Sequence, residues 1–224
     1  MRSALAFLTP LGGAREPSPR ALPWFPVVGA LVGLGVGMAW WGANELWNPL
    51  VAAAIAVVAD LTLTGMLHHD GLGDAADGLL PHLPRERRLE VMRAPDIGAY
   101  GVAAIGSVLL LQLAALSSMH VDRTFLVALY ATTRGCAAIV LAWRPYARAQ
   151  GLASAFRGGS PLAWVAAGVA AAGLALDEPA ALLAVPAFAG VVALAERKVG
   201  GYTGDVLGAA ILVSQTVALL AASA

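Results

Sequence analysis

The chain has 224 residues, of which 59% are apolar and 12% charged, and its 14 Lys and Arg balance its 14 Asp and Glu. Soluble domains carry about twice that share of charged residues. The composition therefore excludes a disordered chain and indicates an integral membrane protein. The single cysteine, Cys136, excludes a disulfide-built scaffold. No cleavable signal peptide is evident, and we expect the lipid bilayer as a partner and no nucleic acid.

Seven apolar runs approach the ~20 residues that a helix needs to cross the hydrocarbon core. The second and fourth runs each contain one charge, Asp60 and Arg134. The fifth and sixth are short and adjacent, so six spans are an alternative. We predict an all-α, polytopic membrane helix bundle that forms one transferase domain over residues 1–224. Its predicted spans are 21–43, 46–67, 97–119, 124–143, 161–176, 179–195 and 206–224.

The basic residues lie in alternate loops between these spans. Twelve of the 14 Lys and Arg fall in the N-terminal segment and in the loops after spans two, four and six. Positive loops stay on the cytoplasmic side of a membrane. We therefore predict a protein of the cytoplasmic (inner) membrane whose N-terminus and basic loops face the cytoplasm.

The acidic segment, residues 68–78, is the most informative stretch. Asp70, Asp74 and Asp77 recur at i, i+4 and i+7, within an arc of about 60° if the second span continues as a helix. Such a stripe of like charges favours a divalent cation, and Mg²⁺ combines carboxylate oxygens with water and substrate phosphates. A solvated acidic loop is the alternative, which the position between apolar residues at a membrane boundary disfavours.

Two other interpretations of the acidic segment are weaker. The adjacent His68 and His69 lack the i, i+4 spacing of helical zinc ligands. The glycines also lack the lysine and the preceding strand of a phosphate-binding P-loop.

Further charges point to the same face of the membrane. Arg93 and Arg148 lie near predicted span ends, and arginine forks suit phosphate oxygens. The segment 198–205 has the glycines and hydroxyl of a phosphate or metal cradle at a helix start, although Asp205 could also act as an N-cap. Asp60 and Arg134 form either a structural ion pair between spans or a functional pair. Carboxylates, arginines and glycine-rich turns together favour phosphoryl transfer to an alcohol.

In their order along the chain, these motifs resemble the cobalamin synthase family (adenosylcobinamide-GDP ribazoletransferases) from about residue 9 to the C-terminus. The motifs that carry the resemblance are segments 68–78, 85–93 with 97–101, 133–135, 146–152 and 200–209. Segment 94–96 departs from the family pattern, because it reads Ala-Pro-Asp where the family often has an acid, then Ser or Pro, then a basic residue. This departure argues against a strictly positioned acid at Asp96.

The resemblance implies a Mg²⁺-dependent enzyme that joins adenosylcobinamide-GDP to α-ribazole, or to α-ribazole 5′-phosphate, and releases GMP. It implies that Asp70, Asp74, Asp77 and Asp205 hold the metal and the pyrophosphate. The base is implied to be His68 or one of these carboxylates. The remaining residues implied to bind substrate are Glu90, Arg93, Arg134, Arg148, Lys198 and Thr203.

Two rival functions remain as alternatives. A lipid-forming CDP-alcohol phosphotransferase is disfavoured by the D-G-x-x-D-x-x-D-G spacing, which is shorter than the pattern of that family. A small transporter is disfavoured because most polar groups lie at one membrane face, whereas transporters place them near the midplane. A homo-oligomer and an association with other cobalamin-synthesis enzymes both stay open.

Overall fold

The computed structural model describes residues 1–13, 16–120, 122–148, 151–156 and 179–224, and these residues form helices joined by short turns. Short 3₁₀ helices cover Pro10–Gly12, Pro19–Trp24 and Leu152–Phe156. The α-helices, in chain order, are α1 (Arg2–Leu8), α2 (Phe25–Asn44), α3 (Pro49–Thr64), α4 (Leu67–Leu79), α5 (Arg85–Val91), α6 (Ala99–Ser118), α7 (Arg123–Trp143), α8 (Pro179–Leu182), α9 (Ala184–Val199) and α10 (Gly204–Ala222).

The prediction of an all-α, polytopic membrane protein is confirmed. Within the described part of the chain, five helical segments are long and apolar enough to cross a membrane, and the number rises to six if the bent pair of α3 and α4 counts as one span. The predicted span 161–176 lies outside the described residues, and the other predicted spans each coincide with one of these segments. The five segments are Pro19–Asn44, Ala99–Ser118, Arg123–Trp143, Pro179–Val199 and Gly204–Ala222.

The second predicted span does not continue as one helix into the acidic segment, although Asp70, Asp74 and Asp77 still share a single helix, as the 60° arc requires. Helix α3 ends at Thr64, and the two residues that follow, Gly65 and Met66, both have a φ of 60°. Two successive left-handed residues turn the chain sharply, and α4 leaves at 89° to α3. The three aspartates therefore lie on a separate 13-residue helix, which is too short to span a bilayer by itself.

Helices α2 and α7 form the centre of the bundle because glycines let their backbones touch. A Cβ atom at Gly29 would lie 2.4 Å from the carbonyl oxygen of Tyr130, and one at Gly33 would lie 2.4 Å from that of Leu126. Small residues at such crossings are what allow close packing in a membrane, where apolar side chains gain little from leaving lipid. Helix α7 is consequently buried along most of its length.

Candidate active site at one end of the bundle

A cavity of about 400 Å³ lies where α1, α4, α7 and α10 meet. Its polar walls come from α4, the N-terminus of α10 and the segment after α7. Its apolar walls come from α1, α2, α7 and deeper turns of α10. The charged and aromatic residues that line it are Phe7, Phe25, His68, Asp70, Tyr146, Arg148 and Asp205.

A close helix crossing brings the acidic segment to α10. A Cβ atom at Gly71 would lie 3.0 Å from both the Cα and the carbonyl oxygen of Asp205, and one at Gly208 would lie 3.1 Å from the carbonyl oxygen of His68. A side chain at either position would force the neighbouring backbone to shift, so the two glycines favour this close approach. Asp70 and Asp205 consequently line the same cavity and repel each other electrostatically.

An isolated backbone bridge brings Arg148 to the same place. The amide of Ala147 donates to the carbonyl of Tyr202 at 2.9 Å, and the amide of Tyr202 donates to the carbonyl of Pro145 at 3.0 Å. A Cβ atom at Gly201 would lie 2.3 Å from the Pro145 oxygen, so this bridge requires glycine there. The bridge aligns the segment after α7 with the segment before α10.

Arg148 and Asp205 form an ion pair in the cavity wall. The Nη2 atom of Arg148 lies 2.7 Å from Oδ2 of Asp205, and both side chains are largely shielded from solvent. The hydroxyl of Thr203 also donates to Asp205 Oδ2, at 3.2 Å. The Nε atom of Arg148 is buried and has no hydrogen-bond partner among the described residues. The Nε–H of this guanidinium is therefore available to donate a hydrogen bond to an oxyanion.

Asp74 adds a further negative charge on α4. Burial, followed by the charges of Asp205 and Asp70, raises the pKa of the Asp74 carboxyl to about 6, against a smaller opposing effect of Arg148. One arginine faces three carboxylates here, so the group carries excess negative charge. A bound cation would lower that repulsion and favour the ionised form of Asp74.

Asp77 does not line the cavity, and its carboxylate accepts hydrogen bonds from backbone amides. Its Oδ2 accepts from the amide of Gly98 at 2.6 Å, and its Oδ1 accepts from the amide of Gly101 at 3.0 Å. These amides belong to the N-terminus of α6, where a carboxylate compensates the unpaired donors and the helix dipole. Asp77 therefore acts as a cap supplied from another helix, and its assignment to the metal stays a prediction.

Several predicted substrate-binding residues have structural partners. Lys198 donates from Nζ to the Leu79 carbonyl at 2.6 Å, which closes the C-terminus of α4 together with Arg88. Thr203 is fully buried and its hydroxyl accepts from the amide of Val206, so it is the N-cap of α10. Neither residue lines the cavity, and their assignment to substrate binding stays a prediction.

The segment around α5 contributes little to the cavity wall. Glu90 forms an exposed ion pair with Arg87 at 2.9 Å, and both side chains are more than 60% exposed. Arg93 is exposed and does not line the cavity, although the carbonyl of the preceding Met92 accepts from Arg148 at 3.4 Å. The predicted roles of Glu90 and Arg93 stay predictions.

Asp60 and Arg134 belong to one buried network. Of the two alternatives stated for these residues, the structural pair is the one that this network resembles. The link runs through Tyr130, whose hydroxyl donates to Asp60 Oδ1 at 2.7 Å. The Arg134 guanidinium lies 4.5 Å from the centre of the Tyr130 ring, and its Nη1 donates to Thr133. This network links α3 to α7, and no motif in the sequence indicates Tyr130 as the bridge.

The two adjacent histidines lie in the first turn of α4. His68 and His69 are both buried, and His68 lines the cavity. Nε2 of His68 and both ring nitrogens of His69 have no hydrogen-bond partner among the described residues. His68 is thus a buried imidazole at the cavity wall with an unused nitrogen.

The carboxylates at the cavity, Asp70 and Asp205, together with the neighbouring Asp74, fit a magnesium ion that shares its ligands with a substrate. Within the described residues, no three His, Cys, Asp or Glu side chains converge closely enough to hold a metal by themselves. Mg²⁺ commonly takes one or two carboxylates and completes its octahedron with water and phosphate oxygens. Asp70, Asp74 and Asp205 supply hard oxygen donors of that kind.

The fold and the cavity define a polytopic helical membrane protein with an acidic, arginine-containing pocket at one end of its bundle. The cobalamin-5-phosphate synthase family model matches residues 1–223. The chain therefore belongs to that family, and the predicted resemblance is confirmed.

Curated relatives agree with this membership and bear the name adenosylcobinamide-GDP ribazoletransferase. The protein of Chlorobaculum tepidum is 39% identical over 98% of this chain and 93% of its own length. That of Bradyrhizobium diazoefficiens is 37% identical over 100% and 93%, and that of Ralstonia nicotianae is 36% identical over 93% and 86%. The predicted enzyme class matches these names. No solved structure matches the chain.

Proposed function

We propose that the chain transfers the adenosylcobinamide-phosphate group from adenosylcobinamide-GDP to α-ribazole, or to α-ribazole 5′-phosphate, and releases GMP. A ribose hydroxyl of the acceptor attacks the phosphorus that carries the cobinamide. The bond from that phosphorus to the bridging oxygen breaks, GMP leaves with the oxygen, and the hydroxyl proton passes to a base. Family membership and the names of the relatives support this activity.

The observation that carries the proposal is the convergence of Asp70, Asp205 and Arg148 on one cavity from three separate segments. Arg148 has the geometry to bind an oxygen of the pyrophosphate through its unpaired Nε. Mg²⁺ held by one or two of the carboxylates Asp70, Asp74 and Asp205 would neutralise the charge on the diphosphate and its leaving group. His68 and the carboxylates are the candidates for the base, because His68 lines the cavity with an unused ring nitrogen.

The rival functions lack comparable support. Asp60 and Arg134, which a transporter would use, bond within a buried network with Tyr130 and Thr133. A lipid-forming phosphotransferase is disfavoured by the family match over residues 1–223.

Reconstitution with defined substrates tests the activity. Purified protein receives adenosylcobinamide-GDP and α-ribazole with Mg²⁺ or with a chelator, and the corrinoid product and GMP are quantified. We expect both products in equal amounts with Mg²⁺ only, and a loss of at least 100-fold in Asp70→Asn. Glu45→Gln is the control, because Glu45 follows the opposite end of α2, about 30 Å along the helix from Phe25 at the cavity. Absence of product from well-folded protein would refute the proposal.

We also propose that the cavity opens toward the cytoplasm of a cell with this protein in its inner membrane. The basic loops support this orientation through the positive-inside rule. Labelling of Arg87→Cys in a Cys136→Ala background tests it, because Arg87 is 62% exposed. Modification in intact cells by a membrane-impermeant thiol reagent would overturn the orientation, whereas modification only after lysis supports it.

A further inference from the structure

We propose that the apolar part of the cavity is the binding subsite for the aromatic base of the acceptor nucleoside, with Phe7 as its stacking surface. This inference rests on the proposed function. It concerns which part of which substrate enters the cavity, and it assigns a role to α1, which none of the site motifs includes.

The apolar part of the cavity is lined by aromatic and aliphatic side chains. Phe7 is half-buried, and its ring contacts Phe25 at 5.7 Å and Phe156 at 4.7 Å between centroids. Phe25 and Phe156 are completely buried, so they fix the position of Phe7. The other apolar residues that line the cavity are Ala6, Leu8, Leu67, Ala137, Leu141, Ala153, Leu207 and Ile211.

The cavity is polar at one end and apolar further in. Asp205 lies in the first turn of α10, whereas Ile211 lies six residues later, about 9 Å along the helix. A ligand with a hydroxyl-bearing end and an apolar ring end matches this arrangement. A riboside of an apolar base is such a ligand, because its ribose hydroxyls can reach Asp70 and Asp205 while its ring lies between Phe7 and α7.

The volume of the cavity selects among the substrates. At about 400 Å³ it lies near the lower limit of pockets for small organic ligands, roughly 300–1,000 Å³. A nucleoside fits a pocket of this size, whereas a corrin ring with its side chains does not. The corrinoid must then remain outside the cavity, and only its diphosphate approaches Arg148.

The chemistry of the wall also selects between the two bases in the reaction. Ribazole carries dimethylbenzimidazole, whose ring edge is hydrocarbon apart from one free nitrogen. Guanine carries several donors and acceptors on its edge, and leaving each unpaired in an apolar pocket would cost about 1–3 kcal/mol. The aromatic and aliphatic lining therefore favours the benzimidazole over the guanine of GDP.

Equilibrium binding of α-ribazole to the purified full chain tests the subsite, with guanosine as the second probe. We expect Phe7→Ala to weaken α-ribazole binding by about tenfold, as the loss of an aromatic contact and its buried area predicts. Guanosine binding should not change. Leu5→Ala is the matched control, because Leu5 also lies in α1 and packs on the core but does not line the cavity. Phe7→Leu, which keeps the apolar volume, should show an intermediate loss and covers the case in which the alanine variant does not fold.

Other occupants of the cavity would give different results in these binding experiments. An equal or larger loss of guanosine binding in Phe7→Ala would place the guanine in the pocket and overturn the proposal. Unchanged α-ribazole binding would show that the pocket serves another occupant, such as a lipid chain, and would also overturn it. Weakened α-ribazole binding in Phe7→Ala together with an absence of GMP release by the wild-type protein would refute the proposed reaction while supporting the subsite.

Discussion

Replacing Asp77 by alanine tests whether this aspartate holds the fold or the metal. Its two oxygens accept from the amides of Gly98 and Gly101 at 2.6 and 3.0 Å. Asp77 is 8% exposed, so water cannot easily replace the carboxylate. A hydrogen bond to a charged group contributes about 1.5–3 kcal/mol. Loss of both bonds should therefore lower the free energy of unfolding by about 3 kcal/mol or more.

That loss is large compared with the total stability of a protein domain, about 5–15 kcal/mol. For a chain of this size, 1 kcal/mol corresponds to about 2–4 °C in Tm. We expect Asp77→Ala to unfold roughly 6–12 °C below the wild type in detergent, with the change reported by circular dichroism and with Mg²⁺ absent. Asp77→Asn keeps one acceptor oxygen and should lose about half as much.

Asp74→Asn is the matched control on the same helix. Burial and neighbouring carboxylates raise the pKa of Asp74 to about 6, so its charge is unfavourable in the metal-free protein. Neutralising it should leave the Tm unchanged or slightly raised. A wild-type Tm for Asp77→Ala combined with weaker Mg²⁺ binding would refute the capping role and support Asp77 as a metal ligand.

Three further predictions follow from the site. Arg148→Ala should raise the KM for adenosylcobinamide-GDP by tenfold or more, because it removes the cation that we propose binds the diphosphate; steady-state kinetics at fixed α-ribazole measures this, and an unchanged KM would remove Arg148 from the site. Gly201→Ala should separate Arg148 from Asp205 and abolish turnover, since its Cβ atom would lie 2.3 Å from the Pro145 oxygen, whereas Gly190→Ala, which meets nothing within 4 Å, should be active. Mg²⁺ affinity should fall about tenfold between pH 7 and pH 5, because protons compete for Asp74 below its pKa of about 6; calorimetric titration of Asp74→Asn should lack this dependence, and a wild-type affinity independent of pH would contradict it.

Composition and periodicity were sufficient to predict the spans that fall within the described residues, because a helix in lipid satisfies its own backbone and needs only an apolar run of sufficient length. The prediction that the second span continues as one helix was wrong at Gly65 and Met66. The apolar run passes through both residues, and their left-handed conformation, which turns α4 by 89°, is a backbone property that hydropathy does not report. A glycine followed by a large apolar residue gives no reliable turn signal.

The residue types of the site were visible in the sequence, but their division of labour was not. Asp74 and Asp77 lie three residues apart and look equivalent, yet Asp77 bonds to the N-terminus of α6. The amides that it binds belong to Gly98 and Gly101, more than 20 residues later. A partner at that separation follows from how α4 packs on α6, and one sequence contains no direct record of that packing.

The glycines connect these observations, because they set how closely the charged segments approach. Gly71 lets α4 contact Asp205, and Gly201 lets the Arg148 segment pair with the segment before α10. Neither glycine carries a reactive group, and each lies next to a charged motif that does. The charged residues determine the chemistry of the site. The glycines beside them determine how the ion pair and the carboxylates are placed. A substitution that adds one methyl group at Gly201 should therefore be at least as damaging as removal of the arginine itself.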